Sequence, residues 1–257
     1  MRRRRYLYFF LAALATAGIG RAQFSLNGFD PLKAVKDVGK VVKGAAGISL
    51  KEECSIGGSV AIEIVARFGG IWKDPDATRR VNLIGRSLAR YCDRPELDFK
   101  FGILNSDTIN AFSAPGGYVF ITKGLYDLVG ASDYELAGVL GHEITHVTQR
   151  HALKIIERGE LLSGVSDLAA MKSEQWARYN DTVSSITNTL FEKGFDPKTE
   201  YEADKGGRAL AALTGYAPGG LRAALLALKN EATINKNRAI FSTHPPLQKR
   251  IDRLPVE

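Results

Sequence analysis

The tightest constraint on this chain comes from its scarcest chemical resource. Only four histidines occur in 257 residues, and two of them bracket a glutamate in His142-Glu143-Ile144-Thr145-His146. An H-E-x-x-H spacing brings both imidazoles to one metal ion only on a helix, where positions i and i+4 share a face. The segment must therefore be helical, and Ser132 with Glu135 supplies a capping box ten residues upstream to start that helix. Glu143 follows the first histidine directly, so it can reach the open side of a metal and accept a proton from water there. His151 lies nine residues after His142, about 900° of helical rotation. That places it on the opposite face, as a structural or surface histidine.

A catalytic zinc needs a third protein ligand and an open position. No further His or Asp follows His146 closely enough on the same helix, so the ligand has to come from another one. Asp196-Pro197 reads as a helix start, with Asp as N-cap and Pro at the first turn. In that helix Glu200 and Asp204 are i and i+4 and share a face, while Glu202 points elsewhere. Glu200 is the candidate third ligand. Asp204 is the candidate acceptor that orients a ligand histidine. Spacing alone fits a solvated acidic helix face equally well.

Around these helices the pattern is mixed. Residues 55–68 and 75–91 read as helices, broken near Gly69, Gly70 and Pro75. Alternation through Leu97, Phe99, Phe101 and Ile103 predicts a strand, and Ile109 to Ser113 and Tyr118 to Thr122 two more around Pro115-Gly116-Gly117. Further helices are expected at about 165–192, 197–213 and 218–230, with a short one near 246–254. The fold class is α+β and mainly α-helical.

Several segments then make the chain recognisable. Asn110-Ala-Phe-Ser-Ala-Pro-Gly-Gly117, Leu136-Ala-Gly-Val-Leu-Gly-His-Glu-Ile-Thr-His146, Glu200-Tyr-Glu-Ala-Asp204, Gly215-Tyr-Ala-Pro218 and Ser242-Thr-His-Pro-Pro246 follow one another over roughly residues 52–254. In this order they resemble the metallopeptidase family of HtpX and the CAAX prenyl protease (metallopeptidase family 48), in particular its small exported, soluble members. The resemblance implies a zincin, gluzincin-like fold with a small antiparallel sheet beside the active-site helix. It implies one Zn2+ per chain on His142, His146 and Glu200. It also implies that the strand Asn110, Ala111, Phe112 and Ser113 is an edge to which an extended substrate adds a strand. His244 would lie near the metal, where it could stabilise an oxyanion, occupy the fourth zinc position in a latent enzyme, or cap the last helix. The chain has none of the membrane spans of the prenyl-protein proteases, so a prenylated substrate is not carried over.

The formal charge of +7 raises the question of nucleic acid, but its placement answers it. Arg2 to Arg5 precede a charge-free apolar run, Tyr6 to Gly20, and a small-residue exit at Gly20-Arg21-Ala22. This is a secretory signal over residues 1–22, with an uncleaved anchor as the alternative. Cleavage after Ala22 removes five of the 35 basic residues and no acidic one, so +7 becomes +2. Most of the basicity is therefore a targeting label, and no aromatic-basic cluster supports nucleic-acid binding. Residues 23–51 read as a tether or amphipathic segment, and 52–257 as the peptidase domain. Lys33, Lys36, Lys40 and Lys43 would line one helix stripe, so residues 31–46 are either a peripheral membrane contact or a solvated linker. Cys54 and Cys92 could pair after export or remain free thiols.

The expected protein is an exported zinc endopeptidase of the periplasm or cell envelope. It acts on extended or unfolded polypeptides, those of misfolded or damaged envelope proteins. The competing expectation is a latent or non-cleaving zinc-bound, chaperone-like factor that holds such clients. The sequence leaves oligomeric state open.

Overall fold

A computed structural model describes residues 48–154, 173–234, 244 and 247–255. The expected signal (1–22), the membrane-contact stripe (31–46), nearly all of the tether, the start of the helix expected from 165, and Pro245-Pro246 lie outside the described residues. Among the described residues, no helix is long and apolar enough to cross a membrane.

Helix α1 (Leu50–Arg67) begins five residues earlier than its periodicity predicts, because Ser49 and Glu52 form a complete capping box there. Helix α2 (Pro75–Ala89) starts on Asp74, whose side chain accepts from the Ala77 N–H, with Pro75 in the first turn. Three strands follow: β1 (Lys100–Leu104), β2 (Ala111–Ala114) and β3 (Tyr118–Thr122). They stand in the order β1-β3-β2.

The sheet is mixed, which corrects the expected antiparallel one: β2 and β3 are antiparallel, but β1 and β3 run parallel. The Pro115-Gly116-Gly117 turn, with both glycines at positive φ, forces the β2–β3 hairpin. The chain reverses between β1 and β2 as a hairpin would, but leaves a gap one strand wide. Strand β3 returns into that gap alongside β1.

Period-2 alternation splits the sheet between two cores. Phe101, Ile103, Val119 and Ile121 face a cluster with Val81, Ile84, Leu136, Leu140, Ile144 and Leu225. Phe112, Ala114 and Phe120 face a second, with Ile56, Val60, Ile64, Tyr179, Val183 and Ile186. These belong to α1 and to α6 (Ser173–Asn188), which runs on into a π-helical turn, Thr189–Lys193.

After β3 come α3 (Lys123–Val129), α4 (Asp133–Thr148), the short α5 (His151–Lys154), and later α7 (Pro197–Leu213), α8 (Gly220–Ile234) and α9 (Leu247–Arg253). Ser132 caps α4, its hydroxyl accepting from the Glu135 N–H at 3.3 Å. Every residue from Leu136 to Val147 is buried, so α4 is the central helix, covered on all sides.

Its crossing with α7 depends on glycine. A Cβ added to Gly207 would sit 2.5 Å from the His142 N and 2.8 Å from the Gly141 carbonyl carbon, both unyielding backbone. This contact sets how near Glu200 comes to the two histidines. Gly207→Ala is expected to cost at least the ~1–3 kcal/mol of ordinary overpacking and to weaken metal binding as the helices part. Urea unfolding with a parallel metal titration would check both, and a variant with wild-type stability and affinity would refute the crossing argument.

The two cysteines do not pair: Cys54 and Cys92 are free thiols. Cys92 packs in the first core with Leu97 and Phe99, whereas Cys54 lies on α1 against Gly116. Burial pushes both thiols up in pKa.

Candidate metal centre

Helix α4 presents His142 and His146 side by side, with rings at 76° and the two Nε2 atoms 3.0 Å apart. From α7, Glu200 brings Oε1 to 3.5 Å from His146 Nε2 and Oε2 to 3.6 Å from His142 Nε2. His244 approaches from the other side, its Nδ1 2.9 Å from Glu200 Oε1. All four side chains are buried, and their ligand atoms lie within 4.8 Å of one another.

The second ring nitrogens show what this arrangement suits. His142 Nδ1 is 3.0 Å from Asp204 Oδ1, and His146 Nδ1 is 2.9 Å from His151 Nδ1. If each Nδ1 donates outward, each Nε2 carries a lone pair, and two lone pairs then face each other across 3.0 Å. Beside a carboxylate, that geometry repels itself unless a cation lies between. The donor set therefore fits a metal ion.

The electrostatics agree. Burial, followed by the neighbouring His142, His244 and His151 rings, holds His146 well below the usual imidazole range, so it stays neutral and able to ligate. Burial alone would raise Glu200, but His244, His142 and Arg250 outweigh it and keep it ionised. Burial would lower His244, yet the Glu200 carboxylate, with Glu143 behind it, carries it above its ordinary value. Asp204 would likewise be raised by burial. Its hydrogen bond to His142 and the Arg250 guanidinium bring it instead to about 2.

Glu143 is buried, and neither carboxylate oxygen has a hydrogen-bond partner. The nearest charge partner is His244 Nε2, 3.8 Å from Oε1. A buried carboxylate without a donor is costly, and it opens on a narrow cleft lined by Phe112, Ser113, Phe195 and His244. Strand β2 forms the other wall. Asn110 and Ser113 are buried, Ala111 to Ala114 pair with β3, and no strand pairs the outer edge among the described residues. The Ser113 hydroxyl is buried there without a partner.

The residues singled out from sequence thus converge in part: His142, His146, Glu200 and His244 form one cluster, Glu143 lies beside it, Asp204 behind His142, and Phe112 and Ser113 line the cleft, whereas Ala111 packs in the first core. Glu202 does point away, with its side chain 46% exposed.

Two neighbours escape the sequence, and a third lies elsewhere than helical spacing predicts. Arg250, on α9, is buried and binds Asp204 through Nη2 at 2.6 Å and Glu200 through Nη1 at 3.1 Å; nothing in the sequence separates it from Arg253. Phe195 stacks on the His146 ring at 4.5 Å and 19°. His151 is buried, so it is neither at the surface nor across the helix. Helix α4 stops at Thr148, Arg150 takes φ 56°, and the chain turns His151 back onto His146.

Comparison with known proteins places this geometry. The family model for Peptidase family M48 matches residues 75–256. The β-barrel assembly-enhancing protease of Yersinia pestis is 29% identical over 91% of this chain and 49% of its own length. That of Escherichia coli strain K12 is 31% identical over 69% of the chain and 38% of its own. The mitochondrial metalloendopeptidase OMA1 of Schizosaccharomyces pombe is 29% identical over 62% of the chain and 46% of its own. The chain spans half or less of the length of these relatives. The matched span nevertheless holds the two α4 histidines, the α7 carboxylates and the α9 arginine, and the chain belongs to peptidase family M48, a family of metallopeptidases.

Proposed function

We propose that the chain is a zinc-dependent endopeptidase of the cell envelope that hydrolyses peptide bonds in misfolded or damaged proteins. The observation that carries this reading is Glu143, a buried carboxylate without a hydrogen-bond partner, beside a cluster of two imidazoles and a second carboxylate. His142, His146 and Glu200 would hold the ion. Bound there, zinc supplies a Lewis acid that lowers the pKa of water towards neutrality.

The chain's own residues then divide the work. Asp204 holds His142 through Nδ1 and so keeps its Nε2 as a lone pair. Glu143 takes the proton of the attacking water on a carboxylate oxygen and returns it to the departing amine. His244 reaches Glu200 with Nδ1 and Glu143 with Nε2. From there it either completes the donor set in a resting enzyme or donates to the oxyanion as it forms.

An extended chain would add to the outer edge of β2, beside Asn110, Ala111, Phe112 and Ser113. Backbone pairing demands an unfolded segment and little of its sequence. The envelope assignment is supported by the signal-like residues 1–22 and by similarity to β-barrel assembly-enhancing proteases. On this reading residues 52–257 are the peptidase domain.

The test is to incubate the zinc-loaded protein with one polypeptide in native and in reduced, unfolded form, and to identify the new termini. Internal cleavage confined to the unfolded form is expected. An unfolded client that is retained but stays intact would overturn the reading in favour of a holding factor.

A further inference from the structure

We propose that His151 is a positioning residue for the metal, fixing the ring and the tautomer of His146. The inference rests on the reading of His146 as a ligand.

A histidine that ligates through Nε2 must carry its proton on Nδ1, and that N–H needs an acceptor. For His142 the acceptor is a carboxylate, Asp204. For His146 it is a second imidazole: His151 Nδ1 lies 2.9 Å from His146 Nδ1, with the rings nearly perpendicular at 76°. For that nitrogen to accept, the His151 proton must sit on Nε2. This Nε2 is buried and has no hydrogen-bond partner at normal distance, but it faces Glu202 Oε2 at 3.5 Å. The order Glu202, His151, His146 therefore selects one tautomer at each ring and leaves His146 Nε2 bare towards His142. Phe195, stacked on the His146 face, limits ring rotation from the other side.

The backbone is shaped to make this contact. Had α4 continued, His151 would sit well away from His146, since five residues turn a helix by about 500°. The helix ends instead, and Arg150 adopts φ 56°, a left-handed conformation that a non-glycine residue holds only where its surroundings fix it there. Its side chain is anchored on both sides, by the Ile48 carbonyl at 2.8 Å and Glu53 at 3.6 Å. The strained residue thus delivers the following histidine to the back of a candidate metal ligand.

Zinc affinity, measured by competition with a chromogenic chelator, distinguishes this role from simple packing. His151→Leu keeps the volume but removes the acceptor. His151→Asn puts an amide oxygen close to where Nδ1 stood. The leucine variant is expected to bind zinc about 10–100-fold more weakly, and the asparagine variant to recover most of that loss. The absorption spectrum of the cobalt-loaded protein should shift with leucine and return with asparagine. Equal affinity in wild type and the leucine variant would overturn the proposal, as would equal losses in both variants. His146→Ala serves as the control for the underlying reading: if it too binds zinc like wild type, His146 is not a ligand and the site reading itself has failed.

Discussion

Glu143→Gln is expected to lower peptide-bond hydrolysis by about 10²–10⁴-fold, the range that a positioned general base contributes. Metal content and fold should not change. The amide has the shape of the carboxylate but cannot take a proton at neutral pH. Both Glu143 oxygens are buried without hydrogen-bond partners, so no hydrogen bond in the structure is broken by the exchange. Stability should hold or rise, because a buried charge with no donor has been removed. The relevant measurement is kcat on an unfolded substrate, with bound zinc determined on the same sample. Undiminished turnover at full metal content would remove Glu143 from its assigned role.

Arg250→Met is expected to cost about 3–5 kcal/mol, the usual penalty for stripping one member from a buried ionic network. Arg250 binds Asp204 through both Nε and Nη2 and reaches Glu200 through Nη1. All three side chains are almost fully buried, so the methionine variant leaves two carboxylates in the interior with one counter-charge fewer.

The loss should be greater without metal, since a bound cation offsets part of it. It should also depend on pH. Asp204 has its pKa lowered to about 2. Its contribution is therefore complete above the ordinary carboxylate range near pH ~4 and disappears as pH falls towards 2. Removing Arg250 shortens that window from below. Urea unfolding of the metal-free proteins at neutral and acidic pH measures this directly. A variant as stable as wild type would show that the network contributes nothing.

What could be read from sequence was what local spacing determines. The i, i+4 rule places His142 with His146 and Glu200 with Asp204, and the caps at Ser132 and Asp196 give both helices their starts. Alternation found the strands and the hairpin, but not that β3 would run parallel to β1. That depends on how wide a gap the chain leaves after Leu104, which no local pattern encodes.

The unread parts of the site have the same origin. Helical spacing puts His151 across from His142 only if the helix continues; it stops at Thr148, and the left-handed residue that follows is Arg150, with no glycine in the sequence to mark the break. Arg250 looked like any basic residue of a short surface helix. It acquires its meaning only when α9 packs over the carboxylates of α7. Sequence spacing thus marks the candidate ligands, while tertiary packing chooses the residues that surround them.

The central claim is that metal bound at His142, His146 and Glu200 makes this chain cut peptide bonds. Titrating metal-free protein with zinc while following cleavage of an unfolded polypeptide tests it most directly. Cleavage should be absent in chelator, rise in proportion to added zinc and level off at one equivalent per chain. Cleavage that persists in the metal-free protein, or none once one equivalent is bound, would contradict it.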